Sequence, residues 1–335
     1  MKKETMMRSQ TKNQVAYLSA LTLLFSYIEM ILPRTVPFFR LGLGNIAVLM
    51  AFNLPLAPFL LLSLIKATAA SLMAGTLFSP FYLVSLAQSF SSAVVMYMIA
   101  GINKKCGGKL FSVYGISVLG ATISAVVQIL LCSLYLGTGT FALLGAMLIF
   151  NTASGILTAF FCTKLENSGF DLSPEIQKTE TVLSPKSSSK NPLVQIFFAI
   201  AILSSAASIF FIKSIPVLAL AFCLSLIAQR LCKRKILILP HISLWIFVLI
   251  STILVPEGKV LVKLWNISIT QGAILSGIQK SLRLSAVSAL SQCAVILQPP
   301  KNSILALSLL YYKNMSDKFR STKGNLFQRI KSTLS

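Results

Sequence analysis

Long apolar runs separated by short polar turns dominate the chain. In the first half, such runs cover residues 14–32, 41–54 with its flanks, 56–77, 80–102, 111–136 and 141–163. In the second half they cover residues 193–212, 215–229 and 236–255, followed by a less uniform run at 269–298. A transmembrane helix needs roughly 20 mostly apolar residues. The pattern therefore predicts an all-α, polytopic membrane protein with about ten transmembrane helices in two bundles.

The longest polar stretch divides these runs into two groups. Residues 164–192 are rich in serine and proline, which is typical of a linker. We therefore predict a six-helix membrane bundle at 13–164, a polar linker at 165–192, further membrane helices at 193–312 and a basic cytoplasmic tail at 313–335. No small-residue cleavage site follows the first apolar run before Glu29, so we expect that run to be a retained anchor.

Composition and charge support the membrane assignment and exclude another class. The chain is 55% hydrophobic and only 11% charged, whereas a soluble domain carries about 25% charged residues. The net charge of +22 is not typical of nucleic-acid binding here, because the basic residues form short clusters between apolar runs. With the amino terminus inside, most of them fall on the cytoplasmic face. We expect a multi-pass protein of the cell membrane, in contact with the lipid bilayer, with both termini cytoplasmic and no nucleic-acid partner.

The sequence lacks the residues that several kinds of catalytic chemistry require. No GxxxxGK[ST] motif occurs, so any ATPase that drives the protein must be a separate chain. Asp171 and Asp317 are the only aspartates, and they form no cluster for magnesium and diphosphate. The single His241 supports no acid–base relay, and the six cysteines show no CxxC spacing. We predict that the protein is not an enzyme and that it uses no cofactor or metal.

The stretch at 33–54 is the candidate binding region. After the first apolar run it places two prolines and two arginines, and Gly42, Gly44 and Asn45 then open the next run. Polar side chains within membrane spans are costly when they face lipid, so they are expected to face the bundle interior. We predict that the substrate-binding residues are Glu29, Arg40, Asn45, Lys66, Gln88 and Gln128, and that the two glycines let a ligand approach the backbone.

Three simpler interpretations of these residues remain open. The arginines at 34 and 40 are also typical of an interfacial loop whose side chains reach the lipid headgroups. The buried amides are also explained by hydrogen bonds between helices, which contribute about 1 kcal/mol each. A Lys66–Glu29 ion pair would satisfy both ionisable groups without a ligand.

Residues 18–163 resemble the Gx-type transporter family, also named heptaprenyl diphosphate synthase component I. The stretches that carry the resemblance are LSALTLLFSYIEMILP (18–33), FRLGLGNIAVLMAF (39–52), LMAGTLFSPFYLVSLAQSFSS (72–92) and SVLGATISAVVQIL (117–130). The family is similar to the substrate-binding subunits of energy-coupling factor transporters, which are six-helix membrane proteins that capture vitamins or related small molecules. The resemblance implies that Ala16 and Ala20 form an AxxxA face that docks a transmembrane partner.

Residues 257–298 resemble the transmembrane coupling subunit of the same transporter class, through Thr270, Gly272, Gly277 and Arg283. Together the two resemblances imply a membrane transport component that captures a small molecule from the outer face, with ATPase and coupling subunits acting in trans. Two alternatives remain. One is a non-catalytic membrane accessory subunit of a prenyl diphosphate synthase, and the other is a scaffold of a membrane flavin or redox complex.

Overall fold

The computed structural model describes residues 2–31, 42–167, 192–264, 267–297, 299–300, 303–324 and 326–334. Helices dominate these residues, and the predicted all-α membrane class is confirmed. In the first half the helices are α1 (Lys2–Ile31), α2 (Ile46–Leu49), α3 (Leu56–Ala74), α4 (Pro80–Lys105), α5 (Val113–Leu136) and α6 (Leu144–Asn167). In the second half they are α7 (Pro192–Phe211), α8 (Ile215–Leu231), α9 (Ile238–Ile253), α10 (Gln271–Ser291), α11 (Ile304–Ser321) and α12 (Leu326–Leu334).

Five helical segments of the described residues are long and apolar enough to cross a membrane. They are Leu56–Ala74, Pro80–Lys105, Val113–Leu136, Thr138–Asn167 and Leu193–Phe211, and two shorter apolar helices are Ile215–Leu231 and Ile238–Ile253. Large apolar side chains on these helices are exposed, as a lipid-facing surface requires. The predicted linker at 165–192 lies mostly outside the described residues, and the domain bounds stay a prediction.

The predicted span at 41–54 is wrong, because this segment is only briefly helical. Gly42 has a left-handed backbone (φ 67°), a 3-10 turn covers Leu43–Asn45, and α2 is a single turn. Residues 50–54 are turns. Pro55 disfavours the α conformation at Leu54, so the chain cannot continue as one helix into α3. The segment is also shorter than the roughly 20 residues that a straight span needs.

A β-hairpin that the apolar pattern did not predict precedes α10. Strand β1 (Val260–Leu264) pairs antiparallel with β2 (Ile267–Thr270), with Leu264 opposite Ile267 and Val260 opposite Thr270. A register shift lies between Val260 and Val262. The Thr270 hydroxyl accepts hydrogen bonds from the backbone N–H groups of Ala273 and Glu257, so it caps α10 and ties the hairpin to it.

The main core lies in the first bundle and includes the end of the chain. Helix α1 packs against α3, the segment 42–49 and α11. Tyr311, Met315 and Phe319 of α11 and Ile330 of α12 belong to the same core as α1. The region predicted as a basic tail is therefore helical and packs against the first bundle.

Helix α10 joins the two halves at two points. The Lys280 ammonium donates to the Leu136 carbonyl at the end of α5 (2.7 Å), and the Ser291 hydroxyl accepts from the Phe78 N–H just beyond α3 (2.9 Å). Eleven residues of helix span about 16 Å. Since α3 and α5 both end there, α10 runs across the same end of both helices.

Candidate functional site

Residues 43–49, in the break between α1 and α3, lie mostly buried inside the first bundle. Leu43, Gly44 and the residues of α2 are all buried. Irregular backbone at membrane depth is tolerated where protein surrounds it or where it lines a cavity. The sequence produces the break locally, because Gly42 takes a left-handed conformation that favours glycine and Pro55 ends the segment.

Hydroxyl side chains from α1 and α6 fill the space beside the two glycines. A Cβ atom at Gly44 would lie 2.8 Å from Ser26 Oγ, and one at Gly42 would lie 2.9 Å from Ser154 Oγ. Thr158 Oγ1 lies 3.4 Å from the Gly42 carbonyl oxygen. The glycines therefore permit close packing against α1 and α6. The expectation that they let a ligand approach the backbone stays a prediction.

Two of the predicted binding residues meet at the break. The Lys66 ammonium donates a hydrogen bond to the Asn45 side-chain oxygen. Lys66 is the eleventh of the 19 residues of α3, so this contact lies near the middle of a membrane-length helix. Both side chains are half-buried. Asn45, rather than Glu29, is the acceptor that the structure describes for Lys66.

Gln128 lies at about the same depth as Lys66, and Gln88 lies nearby. The Thr68 and Tyr82 hydroxyl oxygens, on α3 and α4, are 3.1 Å apart, and Ser92 of α4 donates to a carbonyl of α5 at Gly120. Counting 1.5 Å per residue along these antiparallel helices, Gln128 is level with Lys66 and Gln88 is about 6 Å away along the axis. The three side chains thus share one layer, although no direct contact among them is described.

Gln88 carries a buried oxygen that its surroundings leave unsatisfied. Its Oε1 atom has no hydrogen-bond partner within the described part of the chain. Buried side-chain polar atoms are usually paired, so each exception needs an explanation. A ligand that donates a hydrogen bond is one such explanation.

The remaining predicted residues have different positions. Glu29 is half-buried near the end of α1, and Arg40 lies outside the described residues. Ala16 and Ala20 are both fully buried (0% exposed) in the core that α1 shares with α3 and α11. A partner in trans cannot reach them without a rearrangement, so the docking role stays a prediction.

Sequence reasoning missed the hydroxyl groups around the break. Thr22 and Ser26 are four residues apart on α1, and Ser154 and Thr158 are four apart on α6. A spacing of four residues puts both members of each pair on one helix face. This spacing is the sequence signal that could have identified the hydroxyl groups. Thr22 and Ser26 each donate to the carbonyl one turn earlier (2.8 Å), which leaves their oxygen lone pairs as acceptors near the break.

Two regions of the chain match protein-family models, and the candidate site lies in the first of them. Residues 18–165 match the model of the heptaprenyl diphosphate synthase component I family. This component I region runs from α1 to α6 and contains the whole layer of polar residues. Residues 194–296 match a domain of unknown function, which covers α7 to α10. No curated protein and no solved structure matches the chain.

The match confirms the resemblance that was drawn over residues 18–163. It supports a membrane component, and its description names a component of an enzyme. The coupling-subunit resemblance of the second half stays a prediction, because the matched domain has no stated function. Helices α11 and α12 follow both matched regions.

Proposed function

We propose that this protein is a membrane transport component whose component I region captures a small molecule for uptake, powered by a separate ATPase. The observation that carries the proposal is the Asn45–Lys66 hydrogen bond at the break between α1 and α3. Ionisable side chains inside a membrane bundle are costly, and they commonly mark substrate or ion pathways. Transporter sites are typically formed near the bilayer midplane by interrupted helices.

The surroundings of this bond suit a polar ligand. Lys66 supplies positive charge and N–H donors, one of which Asn45 accepts, whereas the hydroxyls of Thr22 and Ser26 and the unsatisfied oxygen of Gln88 supply acceptors. These groups come from three helices that pack side by side, α1, α3 and α4. A small molecule with both donors and acceptors would satisfy them together.

Replacing Asn45 with leucine tests the proposal. Asn45→Leu keeps the side-chain size and removes the oxygen that accepts from Lys66, so the site loses this hydrogen bond. A hydrogen bond to a charged group contributes about 1.5–3 kcal/mol. We therefore expect retention of the captured molecule to fall about tenfold or more. The measurement is mass spectrometry of small molecules extracted from the protein purified in detergent.

Asn151→Leu is the matched control for that experiment. Asn151 is also a half-buried asparagine of the bundle, but within the described part of the chain its amide donates only to Met147 O of its own helix (2.9 Å). We expect this variant to retain the same molecules as the wild type. Equal retention by Asn45→Leu and the wild type would contradict the assignment of the site. A wild-type protein that is purified without any bound small molecule would contradict the proposed capture.

The description of the matched family favours a second candidate function. It names a heptaprenyl diphosphate synthase component, so a non-catalytic membrane subunit of such a synthase is the alternative. Co-purification distinguishes the two candidates. ATPase chains purified with the protein would support transport, whereas a soluble prenyl diphosphate synthase chain would support the accessory role.

A further inference from the structure

A small cavity lies where the two halves of the chain meet. It is bounded by the C-terminal ends of α5 and α7 and by the middle of α10. Its volume is about 150 Å³, and it is lined by Leu134, Tyr135, Phe210, Lys280, Arg283 and Leu284. At about 30 Å³ per water molecule, the cavity has room for a few waters or for one tetrahedral oxyanion.

Two cationic side chains are held in this cavity by the ends of neighbouring helices. Lys280 donates to the Leu136 carbonyl of α5, and Arg283 donates through Nη2 to the Ile212 carbonyl just beyond α7, both at 2.7 Å. Carbonyl groups at a helix C-terminus lack intrahelical partners and attract cations. These contacts fix the positions of both charges without neutralising either one.

Donor capacity remains on both side chains after these contacts. An ammonium has three N–H donors and a guanidinium has five. The Arg283 Nε atom is buried and has no hydrogen-bond partner among the described residues. A buried guanidinium donor without an acceptor is costly, and an oxyanion in the cavity would supply the missing acceptor.

The local charge also favours an anion. Lys280 and Arg283 are three residues apart on α10, so they share one helix face and repel each other. Among the described residues, Glu257 is the acidic group that interacts with Lys280, so the two cations exceed the acidic charge there by one. The rings of Tyr135 and Phe210, with centroids 6.4 Å apart, form an aromatic wall of the cavity.

We propose that this cavity binds a phosphate oxyanion through Lys280 and Arg283. The phosphate is either free or the headgroup of a phospholipid, since both present the same oxygens to the two cations. The site is separate from the Asn45–Lys66 layer and does not depend on the proposed transport function. Because its walls come from both halves, a bound phosphate would tie α5 to α7 and α10 and stabilise the assembled chain.

Thermal unfolding of the full chain in detergent tests the proposal. Inorganic phosphate is added at increasing concentration, against chloride at equal ionic strength. We expect phosphate to raise the unfolding temperature of the wild type but not that of Arg283→Gln, which keeps a polar side chain with an amide donor but loses the charge. Lys259→Gln is the matched control, because Lys259 is an exposed cation of the same half, beside the hairpin. It should respond to phosphate as the wild type does.

A second arm distinguishes the two sources of phosphate. Native mass spectrometry of the detergent-purified protein records whether phospholipid stays bound. A headgroup is identified if the wild type retains lipid, Arg283→Gln loses it, and added phosphate does not raise the unfolding temperature. If Arg283→Gln fails to fold, Lys280→Gln takes its place. Neither a phosphate response nor retained lipid in the wild type, or equal behaviour of all variants, overturns the proposal.

Discussion

At the residue scale, two glycines with nearly the same left-handed φ have different surroundings. Gly75 at the end of α3 and Gly107 after α4 are both left-handed, with φ of 71° and 72°. A Cβ atom at Gly75 would lie 2.7 Å from Gln292 Cδ and 3.0 Å from its Cα, whereas one at Gly107 would meet nothing within 4 Å. Gln292 also donates to the Ala74 carbonyl (2.8 Å), so the end of α3 is capped by the second half.

Gly75→Ala should therefore destabilise the protein more than Gly107→Ala. Both substitutions place an L residue in the left-handed region, at a cost of about 1–2 kcal/mol. Only Gly75→Ala also pushes against Gln292, and overpacking of this kind costs about 1–3 kcal/mol more. The measurement is the unfolding temperature of each variant in the same detergent. Equal losses of stability would show that α3 and Gln292 are not in tight contact.

At the element scale, the segment predicted as a basic tail, 313–335, contributes side chains to the core of the first bundle. Helix α11 is amphipathic, with Tyr311, Met315 and Phe319 buried at a spacing of four residues. Its exposed positions include Lys318 and Arg320. The basic residues of this segment indicated a tail. Its buried apolar residues form only a narrow stripe, which the sequence analysis did not identify. Arg320 also donates to the Tyr27 hydroxyl of α1 (2.8 Å), which adds a polar contact to this packing.

Phe319→Ala tests whether α11 is part of the first bundle. Phe319 is 2% exposed, and truncating a buried phenylalanine costs about 3–5 kcal/mol. Phe211→Ala is the matched control, because Phe211 is 84% exposed on α7. We expect Phe319→Ala to lower the unfolding temperature clearly and Phe211→Ala to leave it nearly unchanged. Similar unfolding temperatures for the two variants would indicate that 313–335 is a peripheral tail.

At the scale of the whole molecule, contacts between the halves bear on the topology. If the amino terminus is inside and each predicted span crosses the membrane once, Arg234 falls on the inner side and the C-terminal end of α3 on the outer side. The structure places Arg234 Nη2 3.2 Å from the Met73 carbonyl near that end of α3. Both assignments cannot hold if the two halves share one bilayer. The sidedness of the termini therefore stays a prediction.

Cysteine labelling in intact cells resolves this conflict. Cys106 is exposed after α4, at the end opposite to Met73, and Lys235→Cys adds an exposed thiol next to Arg234. Each thiol is tested alone, with the other cysteines replaced by serine and an impermeant maleimide as the reagent. From the contacts we expect the two positions to label from opposite sides of the membrane. Labelling from the same side would support the charge-derived topology and contradict the Arg234–Met73 contact.

The sequence by itself determined the class of the protein and most helix positions, because these follow from the length of the apolar runs. It predicted a span at 41–54, and only the structure showed the break there, although Gly42 and Pro55 are local signals for it. The tertiary structure alone decided that Lys66 meets Asn45 rather than Glu29, that hydroxyls of α1 and α6 fill the space beside the glycines, and that α10 and α11 pack on the first bundle. Such pairings depend on the fit of side chains far apart in the chain, and no local pattern records that fit.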